Sequence, residues 1–97
     1  MRVEFDGDLE DILSDKAHKL GLPIAIIQGA RRKLLLLEQA PDERTLREWK
    51  SLNYKKLSGN REGQRSIRIN DQYRIVFELL EDERPPRIRI LEIDDTH

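Results

Sequence analysis

Cysteine is absent from the 97-residue chain, which excludes a disulfide framework and thiolate-bound zinc and suits a reducing compartment. A cytoplasmic location is therefore expected. Long apolar runs are missing too. The four leucines Leu34–Leu37 fall far short of the roughly 20 residues of a membrane helix. Met1–Asp6 opens without the apolar stretch of a secretion signal, so no membrane association is expected. Only two histidines are present, His18 and His97, and with no second histidine at helical spacing neither reads as half of a metal site. Apolar residues are scarce as well: they make up 37% of the chain and charged residues 38%, against typical values of about 45–50% and about 25%. The core should be thin, and a binding partner is expected to supply some of the missing burial.

The charge that is present is zoned. Residues 1–15 hold six carboxylates against one arginine, net −5, and residues 75–97 hold seven against three, net −4. Between them, residues 55–74 carry Lys55, Lys56, Arg61, Arg65, Arg68 and Arg74 against Glu62 and Asp71, net +4. An overall charge of −1 thus conceals a local basic stripe of the kind that attracts a polyanion.

Hydrophobic periodicity predicts one α+β domain spanning residues 1–97, without repeats, linkers or low-complexity tracts. Met1–Phe5 alternates as a strand. Asp8 reads as the cap of a first helix reaching about Leu20, where Gly21 stops it. Pro23 opens a second, longer helix in which Ile24, Ile27, Ala30, Leu34 and Leu37 recur at intervals of three and four up to Ala40. A further turn over residues 45–50 brings Trp49 toward the core. The period then changes to two, predicting strands over residues 53–57, 66–70, 73–79 and 87–93. On the last of these, Ile88, Ile90 and Glu92 are expected to share a face. The arrangement is two N-terminal helices packed on one face of a mainly antiparallel sheet of four or five strands.

The residues that could carry chemistry lie in Ser58–Phe77. Arginine offers a rigid fork of donors and stays charged, so Arg61, Arg68 and Arg74 could grip a phosphodiester and stabilise a pentacoordinate transition state. The bland alternative is a solvated sheet face. Elsewhere the structural readings prevail. His18 fits a helix edge, Trp49 a core or docking anchor, and Asp6, Asp8 and Glu10 helix capping rather than a calcium loop. The Gly59–Gly63 loop lacks the Gly-Lys-Ser/Thr of a nucleotide-binding loop.

The run Leu57–Phe77, with its Gly-Asn-Arg-x-Gly loop and Ser-Ile-Arg-Ile-Asn-Asp-Gln-Tyr-Arg hairpin, resembles the host-killer, HigB-type branch of the RelE toxin superfamily. The likeness extends to the order of elements and to the ending Asp95-x-His97. It implies a RelE-like microbial RNase fold and ribosome-dependent, metal-independent cleavage of messenger RNA in the decoding site. It also implies control by a HigA-like helix-turn-helix antitoxin, through which operator DNA is contacted. No cofactor and no metal are expected. By resemblance, Arg74 stands where the scissile phosphate is contacted, His97 where a C-terminal histidine serves proton transfer, and Arg68 with them in the catalytic set. Lys55, Lys56, Arg61 and Arg65 are then RNA-binding. Ser58 and Thr96 depart from the family pattern, which has lysine and tyrosine there in some relatives. Those departures favour a second reading, a catalytically weak toxin-fold module acting mainly through its antitoxin complex in operon autoregulation.

Overall fold

In a computed structural model of the protein, which describes residues 1–95, the chain forms an α+β structure around a mixed sheet of five strands ordered β1-β5-β4-β3-β2. The strands are β1 (Val3–Phe5), β2 (Lys55–Lys56), β3 (Gln64–Arg68), β4 (Tyr73–Leu80) and β5 (Arg87–Asp95). β1 runs parallel to β5 and every other pairing is antiparallel. Helix α1 (Ile24–Gln39) crosses one face, and the short α2 (Glu43–Glu48) follows it. The α1 stripe Ile27, Ala30, Leu34 and Leu37 packs with Ile67, Ile75, Phe77, Ile88 and Ile90 of the sheet in one hydrophobic core. Both periodicities predicted for these segments therefore turn toward the same interior. Gly29 lets α1 approach closely: a Cβ there would lie 2.9 Å from Ile69 Cγ2.

The predicted first helix is not α-helical. Residues 7–20 form two 3₁₀ segments, Gly7–Leu13 and Ala17–Leu20. Asp8 lies inside the first turn instead of capping it, and Asp6 occupies the cap position without a side-chain hydrogen bond. The cause is tertiary. Arg31 of α1 donates from Nε to the Ile12 carbonyl at 2.6 Å and from Nη2 to the Ser14 carbonyl at 2.9 Å, tying the segment to α1 at the break between its two 3₁₀ pieces. A stretch this short has little intrinsic helical stability with which to compete. α2, by contrast, is capped by its own sequence, Asp42 accepting the Thr45 backbone N–H at 2.9 Å.

β5 also differs from a simple alternation. Its register on β4 shifts between Val76 and Phe77, so that Val76 faces Glu92 while Phe77 faces Ile90. Leu91 is the extra residue of this bulge. Glu92 is consequently thrown to the face opposite Ile88 and Ile90, correcting the expectation that the three share a side.

Candidate functional site

The sheet face turned away from α1 carries a cleft of about 530 Å³. Strand alternation builds its floor. Lys55 pairs with Ser66, Ser66 with Val76, Arg68 with Arg74, and Arg74 with Asp94, so side chains from four neighbouring strands converge on one side. Ser66 and Val76 are buried there, at 1% and 2% exposure, although the sequence pattern alone places both on an outward face.

Arg74 is held at the centre. Its Nε donates to Ser66 Oγ at 2.8 Å and its Nη2 to the Asn53 carbonyl at 2.6 Å. Among the described residues it has no ion-pair partner, and burial followed by the nearby charge of Arg68 lowers its pKa. A guanidinium remains protonated under such a shift because its starting value is so high. The result is an oriented cation that, among the described residues, is held by neutral acceptors instead of by a carboxylate, although Asp94 stands opposite it on β5. Arg68 faces it and pairs with Asp71 at 3.2 Å. Arg61 reaches the cleft from the loop after β2 and is paired with Glu92, whose hydrogen bond holds the Arg61 pKa up. Lys55 completes the cationic lining.

The cleft therefore unites Arg74, Arg68, Arg61 and Lys55, but not the whole basic stripe. Lys56 and Arg65 form the next cross-strand pair, and Arg65 in turn faces the core residue Phe77, so alternation sends both to the other side. Arg65 is only 16% exposed and donates to Glu43 of α2 at 2.9 Å. His97 lies outside the described residues. Sequence reasoning missed Asn53 as an anchor, Ser66 as a buried acceptor, and Glu92 as an acidic member of the site. Asn53 left a faint signal, since asparagine tolerates the left-handed backbone (φ 45°) that it adopts. The place of Glu92 depends on the bulge, which no local pattern announces. No group of three or more His, Cys, Asp or Glu side chains suited to a metal ion occurs among the described residues.

This fold is shared with RelE-like toxins. The YoeB/ParE toxin of Agrobacterium tumefaciens superposes with a TM-score of 0.61 over all of both chains at 12% identity. YafQ of Escherichia coli superposes at 0.60 over 99% of this chain and 94% of that one, at 14% identity. The family model described as RelE-like toxin of type II toxin-antitoxin system HigB matches residues 5–85. Toxin HigB-1 of Vibrio cholerae is 40% identical over 80 residues, which is 80% of this chain and 83% of that protein. The chain belongs to the HigB-like family of RelE-like type II toxins.

Proposed function

We propose that this toxin is an endoribonuclease that cleaves messenger RNA in the ribosomal decoding site. The observation that carries this reading is Arg74: it is fixed by hydrogen bonds to Ser66 and to the Asn53 carbonyl in a cation-lined cleft and has no ion-pair partner among the described residues. In the proposed step the ribose 2′-oxygen attacks the adjacent phosphorus and the bond to the 5′-oxygen breaks, leaving a 2′,3′-cyclic phosphate and a 5′-hydroxyl. Arg74, seconded by Arg68, stabilises the charge on the phosphoryl oxygens. His97 is assigned proton transfer. Lys55 and Arg61 bind flanking phosphates. Arg65 and Lys56, expected from sequence to bind RNA, are left out of this set because they project to the other face.

The toxin works in the cytoplasm on ribosomes and is restrained by a HigA-like helix-turn-helix antitoxin that links it to operator DNA. The YoeB–YefM toxin–antitoxin heterotetramer of Staphylococcus aureus, whose chain superposes at a TM-score of 0.56, supports a protein partner for this fold. One observation favours the second reading, a weakly catalytic module acting through its antitoxin: Arg61 and Arg68 are already engaged by Glu92 and Asp71. Induced expression, with mapping of messenger ends, separates the two. Growth arrest with cuts that disappear in Arg74→Ala supports the nuclease. Intact messenger alongside a stable antitoxin complex supports the module.

A further inference from the structure

A cluster on the helix side of the sheet connects to the cleft through a single residue step. Tyr54 donates its hydroxyl hydrogen to Glu43 Oε2. Arg65 Nε donates to that same carboxylate oxygen at 2.9 Å and to the Tyr54 oxygen at 3.0 Å. The Tyr54 ring meets the buried Phe77 edge-on, with centroids 6.4 Å apart. Tyr54 is thus fastened at its ring by the core and at its hydroxyl by an ion pair. The preceding residue, Asn53, sits in the left-handed region and presents its carbonyl to Arg74 at 2.6 Å on the other face. β2, which begins directly after Tyr54, pairs with β3 through only two residues. Its ladder is therefore a weak constraint on where the Asn53 carbonyl points.

We infer that Tyr54, locked by Glu43 and Arg65, is a positioning residue for Arg74, setting through the Asn53 carbonyl the direction in which the guanidinium meets a phosphate. Tyr54 touches no substrate in this scheme. The inference rests on the proposed cleavage for its functional consequence but not for its structural one.

Single-turnover cleavage of messenger on programmed ribosomes reads the first. Tyr54→Phe keeps the ring and removes the hydroxyl. The rate at saturation is expected to fall roughly 10- to 100-fold, as slight misplacement of a catalytic group does. The concentration for half-saturation should hold, because Lys55, Arg61 and Arg68 are untouched. Glu43→Gln should act in the same direction, and neither change should slow the residual cutting by Arg74→Ala. An equal fractional loss in the Arg74→Ala background, or weakened binding at an unchanged rate, overturns the inference.

The structural consequence is read on the full-length toxin by the ¹⁵N signal of the Arg74 guanidinium, whose Nη2 hydrogen bond to the Asn53 carbonyl should loosen in Tyr54→Phe and speed its solvent exchange. An unmoved signal in both variants sinks the inference whatever the kinetics. A shifted signal in a toxin that cuts nothing upholds the positioning contact and refutes the nuclease reading instead.

Discussion

Arg68 and Arg74 stand directly opposite each other across the β3–β4 ladder. Two like charges in that relation are unfavourable, by an amount on the order of 0.2–1 kcal/mol, and of the two only Arg68 forms an ion pair among the described residues, with the exposed Asp71. A pair that opposes folding is informative where it borders a cleft, because an anionic ligand turns the repulsion into shared attraction.

Arg68→Gln should accordingly leave thermal stability unchanged or raise it slightly, while slowing messenger cleavage. Melting curves and cleavage rates on the same preparation check both halves. A clear drop in melting temperature would show that the Asp71 contact outweighs the repulsion.

Arg74→Ala should lower cleavage by about 10²–10³, the usual cost of removing a transition-state donor, with the far-ultraviolet dichroism spectrum preserved. Arg74→Lys should not restore full activity, since an ammonium cannot bond Ser66 and Asn53 while offering a flat fork to phosphate. Recovery to the wild-type rate by lysine would reduce the role of Arg74 to charge alone.

Ribosome association should weaken steeply with added salt because phosphate contacts release counterions. Glu92→Gln frees Arg61 from its carboxylate partner and should tighten that association at low salt. Pelleting across a salt series measures both effects, and salt-independent pelleting would contradict the phosphate-binding role of the cleft.

Acid should destabilise the protein partly through Glu43. Burial pushes its pKa up, but the hydrogen bonds from Tyr54 and Arg65 outweigh burial and hold it below the ordinary value. The folded-state pKa is thus the lower one. Its stabilising contribution is present above the unfolded glutamate value of about 4.3 and is lost as pH falls through the lower folded value. Glu43→Gln should flatten that part of the pH–stability curve, as chemical denaturation at a series of acidic pH values would register.

Gly29→Ala places a Cβ 2.9 Å from Ile69 Cγ2 and should cost about 1–3 kcal/mol as an overpacking change. Alanine is otherwise the better helix former by about 1 kcal/mol, so a gain in denaturant midpoint would mean that α1 yields easily at this contact.

How much of this was legible beforehand varies by segment. The stripe Ile27, Ala30, Leu34, Leu37 and the alternation Ile75, Phe77 declared α1 and β4, because burial on one face imposes a period that survives in the residue order. The helix expected from the cap Asp8 to about Leu20 is replaced by 3₁₀ turns, held to α1 by Arg31, which is distant in sequence. In the cleft, charge and resemblance point to Arg74, Arg68, Arg61 and Lys55; alternation across paired strands brings Arg74, Arg68 and Lys55 together, and Arg61 joins them from its loop. The same alternation removes Arg65 and Lys56, whose charge looks no different in the sequence.

The amino-acid order by itself determined the period of α1 and β4, the basic zone between two acidic ends and the cap that Asp42 provides for α2. These depend on neighbours within a few residues, where backbone geometry is fixed by covalent spacing. Tertiary structure alone decided which strand lies beside which, and so which arginine meets which carboxylate. It set Glu92 beside Arg61 through the bulge at Leu91, buried Ser66 under Arg74, and turned the Asn53 carbonyl toward the same guanidinium. Such pairings join residues 8 to 31 positions apart, and their energies come from desolvation and contact geometry that exist only once the sheet has closed over its core.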